Sequence, residues 1–206
     1  MIPAREALQR LRDGNARFVA QSGGGVSTSH ADRAQLVDSQ EPFAIILGCS
    51  DSRVPAEIVF DQGLGDLFVI RVAGNIVAPS QVGSVEFAAE RFSTRLVVVM
   101  GHSQCGAITA TLEELLRPSE KQSRNLKSIV DRVRPSVEGL LKSGMKPDAA
   151  LIDRAVRANI MASVDHLRHG SEVLEQLIQE NGLVVVGAEY SLASGVVDFF
   201  DETNAR

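Results

Sequence analysis

Five side chains of the kinds that bind metals or transfer protons follow two short apolar runs of the sequence. In chain order they are Cys49, Asp51, Arg53, His102 and Cys105. Thiolate sulfur and imidazole nitrogen are ligands that zinc prefers, and a catalytic zinc site has three protein ligands and an open fourth position. We therefore predict that Cys49, His102 and Cys105 bind one zinc ion.

Asp51 and Arg53 are close enough in the chain to form a guanidinium–carboxylate pair. Such a pair would hold Asp51 away from the metal and keep it ionised, so that it accepts a hydrogen bond from zinc-bound water or hydroxide. Alternatively, the same carboxylate would take the fourth position on the metal. The sequence thus predicts an open state, with Asp51 on Arg53, and a closed state, with Asp51 as fourth zinc ligand.

Other interpretations fit single parts of this pattern. Buried cysteines are often inert core residues, but here both cysteines and a histidine follow buried-strand runs. A cysteine-phosphatase loop has a wider Cys-to-Arg spacing than that of Cys49 and Arg53. A structural zinc site would normally have a fourth Cys or His, and the two motifs contain none. His166 and His169 share a helix face that is predicted to be exposed to solvent, so we expect them on the surface.

The apolar runs indicate a sheet that brings these side chains to one edge, since uninterrupted runs are typical of strands buried on both faces. The predicted strands are 43–47, 67–72, 96–100 and 183–186, with an edge strand at 196–200. Helical patterns occupy 56–60, 79–92, 106–116, 125–141 and 148–181. Pro135 is expected to kink or split the fourth helix. The fold class is α/β, a mostly parallel four- to five-stranded sheet flanked by helices.

The length of 206 residues is that of a single domain. An amphipathic helix is predicted at 4–20, followed by a Gly/Ser-rich loop and a short helix at 31–39. We expect residues 1–40 to form a helical arm that packs on a neighbouring subunit and residues 41–206 to form the α/β core.

Composition excludes several classes of function. Apolar residues make up 44% of the chain and charged residues 23%, and the formal net charge is -5, without a basic cluster for nucleic acid. No apolar run has the length of a membrane span. The N-terminus has no signal-peptide pattern, and with both cysteines expected to be reduced we predict a cytoplasmic protein.

The segments GCSDSRVP at 48–55 and GHSQCGA at 101–107 resemble the two signature motifs of the β-class carbonic anhydrases. Similar residues also occur at 66–75 and 83–88, and near both ends of the chain. The resemblance implies the β-carbonic anhydrase fold and the reversible hydration of CO2 to bicarbonate and a proton.

The resemblance also implies roles for particular residues. One zinc ion per chain would be held by Cys49, His102 and Cys105. Asp51 and Arg53 would form the catalytic dyad, in which Asp51 orients a zinc hydroxide that attacks CO2. The residues that would bind substrate are Gln40, Phe68, Phe87 and Gly106.

The family resemblance implies a homodimer with active sites at the subunit interface, which in many members assembles further into a tetramer. One family type has an inhibitory bicarbonate site that requires a Trp three residues before the first zinc cysteine. Ile46 occupies that position and the chain has no Trp. Although Arg71 and Tyr190 match other residues of that site, we expect the plant-like type without it.

Two other functions are compatible with the same motifs. A related enzyme would hydrolyse CS2 or COS at the same zinc site, and assays with all three substrates separate these activities. A zinc-containing bicarbonate sensor would bind zinc without turnover. The Asp51–Arg53 pair disfavours the sensor, because a binding module does not need a catalytic dyad.

Overall fold

The central sheet has five strands, in the order β2-β1-β3-β4-β5. They are β1 (Ala44–Gly48), β2 (Leu67–Arg71), β3 (Leu96–His102), β4 (Val184–Tyr190) and β5 (Val197–Phe200). The first four strands are parallel, and β5 pairs with β4 in the antiparallel direction. The structure is a computed structural model that describes residues 2–22, 34, 36–118, 123–142 and 148–200. It confirms the predicted α/β class and the mostly parallel sheet.

Helices cover both faces of this sheet. Those of the described ranges are α1 (Ala4–Val19), α2 (Ala56–Val59), α3 (Pro79–Arg91), α4 (Gly106–Leu116), α5 (Arg124–Lys142), α6 (Ala149–His169) and α7 (Glu172–Glu180). Helices α3 to α7 pack on one face, against residues such as Ile45, Leu47 and Val99. Helices α1 and α2 pack on the other, against residues such as Ile46 and Val98. Alternate residues of β1 and β3 thus enter two cores, which explains their uninterrupted apolar runs.

The strand order creates a crevice at the carboxyl ends of β1 and β3. From β1 the chain continues to β2 on one side and then crosses to β3 on the other side of β1. Ligands of open α/β sheets bind where the strand order reverses in this way. Because Gly48 of β1 pairs with Met100 of β3, Cys49 and His102 leave the sheet side by side.

Helix α1 packs on its own chain's sheet. Its predicted packing on a neighbouring subunit stays a prediction. Its apolar stripe, which includes Leu8 and Leu11, is buried in the core beneath it. Gly14 permits the close approach, because a Cβ atom there would lie 1.8 Å from the Phe60 carbonyl oxygen. Asn15 donates to the carbonyls of Val59 and Gly195 and accepts from the Val197 N–H. The division into arm (1–40) and core (41–206) stays a prediction.

Some predicted boundaries were wrong. The single helix expected at 148–181 is two helices, because Gly170 ends α6 and the Ser171 hydroxyl caps α7 by accepting from Leu174 N–H. Helix α5 continues through Pro135 without a split. The helix predicted at 31–39 lies largely outside the described residues.

Candidate metal centre

The three predicted metal ligands meet at the crevice between β1 and β3. Cys49 directly follows β1, His102 is the last residue of β3, and Cys105 precedes the first turn of α4. The two sulfurs are 4.0 Å apart, and the three donor atoms all lie within 4.8 Å of one another. All three side chains are buried. Two strand ends and one helix start therefore hold a compact Cys2His set.

The orientation of His102 suits a metal ligand. Its Nδ1 lies 2.9 Å from the Ser103 carbonyl oxygen, which can only accept, so Nδ1 carries the proton. Nε2 is then an acceptor directed at the cluster, and among the described residues it has no hydrogen-bond partner although it is fully buried. A buried acceptor without a partner is costly. A metal ion coordinated by Nε2 would remove this cost, and second-shell bonds like that of Nδ1 are usual for metal-bound histidine.

The contact between the two sulfurs shifts the pKa values of the two thiols in opposite directions. A hydrogen bond from Cys105, opposed by burial and supported by the Gly74 N–H, lowers the pKa of Cys49 to about 4. The same bond to the Cys49 thiolate, together with burial, raises the pKa of the Cys105 thiol. Both thiols must ionise to bind zinc, so metal binding would release the proton of the Cys105 thiol.

Asp51 is held beside the cluster by Arg53. Two hydrogen bonds join the side chains, from Nε to Oδ1 at 2.9 Å and from Nη2 to Oδ2 at 2.7 Å. The Arg53 backbone N–H adds a third bond at 3.0 Å. These bonds hold the pKa of the Asp51 carboxyl well below its usual range. Oδ2 still lies 3.8 Å from His102 Nε2, so an ionised carboxylate borders the cluster while its own partner is Arg53.

Two residues that were not predicted to lie at this site contact the segment 49–51. Arg71 donates to the carbonyls of Cys49 and Asp51, at 2.9 and 2.6 Å. The Gly74 backbone N–H donates to Cys49 Sγ at 3.4 Å. Arg71 ends β2 opposite Gly48, so the adjacency of the two strands would have indicated its position. No comparable signal exists for the backbone group of Gly74.

The four predicted substrate residues are in different places. Gly106 is exposed at the start of α4, directly after Cys105. Phe68 lies within β2, opposite Ile45, and its ring packs against Phe87 of α3. Gln40 lines a cavity of about 530 Å³ beyond the amino ends of β1 and β3. A five-residue strand is about 17 Å long, so a single chain does not bring Gln40 to the metal ligands.

Comparison with known proteins identifies the family. The family model described as carbonic anhydrase matches residues 44–197, which include the metal ligands, Asp51 and Arg53. The chain belongs to this family. It is 41% identical over 192 residues to a carbonic anhydrase of Mycolicibacterium smegmatis, covering 93% of this chain and 91% of that protein. It is 38% identical over 189 residues to carbonic anhydrase 2 of Mycobacterium tuberculosis, covering 92% and 89%.

Solved structures place the chain in the β class of carbonic anhydrases. The β-carbonic anhydrase CafA of Aspergillus fumigatus superposes with a TM-score of 0.74 at 26% identity, covering 96% of this chain and 90% of that one. The β-carbonic anhydrase CcaA gives a TM-score of 0.73 at 27% identity, covering 95% and 96%. The resemblance seen in the sequence is therefore confirmed. The family also confirms an enzyme that hydrates CO2 and uses zinc, for which the Cys2His cluster is a suitable site.

None of the helices in the described ranges combines the length and apolar character needed to cross a membrane.

Proposed function

We propose that this chain catalyses the reversible hydration of CO2 to bicarbonate and a proton with Asp51 orienting the attacking oxygen. The observation that supports this mechanism is the pair formed by Asp51 and Arg53 at the rim of the Cys2His cluster. The pair leaves an ionised acceptor 3.8 Å from the ligand nitrogen of His102. A zinc ion bound by Cys49, His102 and Cys105 would supply Lewis acidity that makes a water molecule acidic enough to be a nucleophile near neutral pH.

The dyad has two tasks in this mechanism. Arg53 holds Asp51 away from the fourth metal position and keeps it ionised. Asp51 accepts a hydrogen bond from the nucleophilic oxygen and thereby directs a lone pair at the carbon of CO2. A carbon–oxygen bond forms and one C=O π pair moves to a CO2 oxygen. The proton of the overall reaction is the one that a water molecule loses when it becomes hydroxide, and it passes to buffer. The negative charge that develops on the CO2 oxygen needs a donor.

Gly106 is our candidate for that donor. It is the first residue of α4 and adjoins the ligand Cys105. The first backbone N–H groups of a helix have no partner within the helix, and they attract negative charge. We propose that the Gly106 N–H binds the oxygen atom of CO2 or bicarbonate that is not attacked.

Stopped-flow CO2 hydration, with zinc content measured on the same sample, tests this function. We expect fast turnover at about one zinc per chain from about pH 6.5 to about pH 9. The lowered pKa of Asp51 means that the carboxylate stays ionised above that pKa, so the rate is not lost by protonation of Asp51 near neutrality. Activity confined to alkaline pH would contradict the open arrangement of the dyad. If zinc is present at full occupancy without CO2 turnover, CS2 and COS should be assayed as substrates. Absence of turnover with all three substrates would favour the sensor role.

We also propose that the functional unit is a dimer or a dimer-based tetramer in which a second copy completes the substrate pocket. The aromatic rings of Phe68, Phe87 and Phe92 pack together, with centroids 5.6 to 6.2 Å apart. Phe87 is 53% exposed, and β2 is one of the two edge strands of the sheet. Exposed aromatic surface beside a sheet edge is typical of association. This arrangement would let Phe68, Phe87 and Gln40 of a partner subunit contact the metal centre.

Phe87→Glu tests the dimer. A charge at this exposed position should dissociate the oligomer, which analytical ultracentrifugation would detect, and should lower CO2 hydration about tenfold or more because the pocket loses its partner residues. Leu126→Glu is the matched control, because Leu126 is another exposed apolar residue, 59% accessible, on α5. An unchanged sedimentation coefficient for Phe87→Glu would exclude this face as the interface.

We further propose a cytoplasmic location, because both cysteines must stay reduced to bind the metal.

A further inference from the structure

A three-residue turn, Ala73–Asn75, connects the metal centre to a helix that provides no ligand. The Gly74 N–H of this turn donates to Cys49 Sγ at 3.4 Å. Gly74 and Asn75 have φ angles of 71° and 43°, in the left-handed region that residues other than glycine rarely adopt. Other parts of the molecule support the conformation that directs this N–H at the sulfur.

Two buried polar side chains of α6 provide that support. Asn159 Nδ2 donates to the Gly74 carbonyl at 2.8 Å, and Ser163 Oγ donates to the Asn75 carbonyl at 3.0 Å. Their residues are 2% and 5% exposed. The other six buried residues of α6 are apolar. Two polar groups in an apolar helix face are costly unless they are hydrogen-bonded. Both side chains bond to consecutive carbonyls of one turn, which indicates that they hold this turn in place.

We propose that Asn159 and Ser163 are positioning residues that keep the Gly74 N–H on the Cys49 sulfur and so limit the electron density which this ligand donates to zinc. This role rests on the proposed function of Cys49 as a zinc ligand. Two thiolates neutralise the charge of a zinc dication, which makes it a weaker Lewis acid. A hydrogen bond to one thiolate withdraws charge from the sulfur, and outer-shell partners of this kind tune the metal. Helix α6 thereby contributes to catalysis without touching substrate.

The test uses Asn159→Leu and Ser163→Ala in the intact protein, with cobalt(II) in place of zinc. Loss of the N–H···S bond raises the electron density on Cys49, so the sulfur-to-cobalt charge-transfer band should move to lower energy. The zinc forms should hydrate CO2 about 10- to 100-fold more slowly, which is the usual effect of removing an outer-shell partner. Ser163→Thr keeps the hydroxyl and should restore both the band position and the rate.

Thr94→Val is the matched control for a structural effect. Thr94 is buried, and its hydroxyl donates to the Pro42 carbonyl at 2.7 Å near the amino end of the sheet. This variant should lose thermal stability to a similar extent as Ser163→Ala but keep the band position. The proposal would be overturned if Ser163→Ala lost as much thermal stability as Thr94→Val but showed no shift of the band. Should Asn159→Leu not fold, Ser163→Ala decides alone.

The unaltered cobalt protein separates this proposal from the assignment of the ligands. A thiolate charge-transfer band in that protein is expected from cysteine ligation. Its absence would refute the metal site itself, whereas its presence with no shift in Ser163→Ala would refute the positioning role.

Discussion

Asp51→Asn is expected to lower the rate of CO2 hydration about 100-fold or more while zinc remains bound at the level of the unaltered protein. The amide is close in shape to the carboxylate but cannot be ionised, so the pair with Arg53 is lost and the nucleophilic oxygen faces a weaker acceptor. Asp51 is not one of the three ligands that meet in the cluster. Stopped-flow rates and zinc content measured on the same preparation check both parts of the expectation.

Asp61→Asn is the matched control for this substitution. Asp61 also pairs with an arginine, Arg17, at 2.6 Å, but its partner belongs to α1 rather than to the metal centre. Asn tolerates the positive φ of 47° at this position. The control should keep full activity. If Asp51→Asn were as active as Asp61→Asn, the proposed role of Asp51 would have to be abandoned.

His102→Ala is expected to abolish activity by removing the metal. The substitution deletes one of three ligands, so the zinc content after dialysis should fall about tenfold or more and CO2 hydration should fall to the buffer rate. Metal that binds the folded state also stabilises it. Added zinc should therefore raise the melting temperature of the metal-depleted parent protein but not that of His102→Ala.

His166→Ala distinguishes this effect from the general loss of a histidine. His166 is an exposed residue of α6, and it lies outside the metal cluster. Its variant should retain zinc, activity and the zinc-dependent rise in melting temperature. A His102→Ala protein that kept one zinc per chain would show that the ligand set differs from the one described here.

Sequence patterns predicted the elements that carry the site because the two decisive strands are buried on both faces. Apolar runs at β1 and β3 mark such strands directly, and the residues after them could be assigned to one edge of the sheet. The end of α6 was missed because residues on both sides of Gly170 continue a helical pattern. Ser171 caps α7. A stricter search for residues typical of helix starts would have identified it and so predicted this boundary.

Contacts between distant parts of the chain explain what the sequence did not predict at the site. Cys49 and Arg53 are four residues apart, so their association with Asp51 follows from local spacing. Asn159 and Gly74 are 85 residues apart, and the sequence motifs assigned no role to either residue. The packing of α1 likewise depended on Gly14 and Asn15, whose partners lie on α2 and near β5 and cannot be inferred from the periodicity of α1.

The amide of Asn15 has a consequence for how the chain folds during synthesis. Its partners lie 44 and 180 residues further along, and a nascent chain leaves the ribosome from its N-terminus. Helix α1 therefore emerges first, but its docking site is incomplete until β5 has been made. The apolar stripe can pack on β1, α2 and β3 once these have been made. The hydrogen bonds of Asn15 to Gly195 and Val197 form only after β5 has been made, so the final docking of α1 comes late in folding.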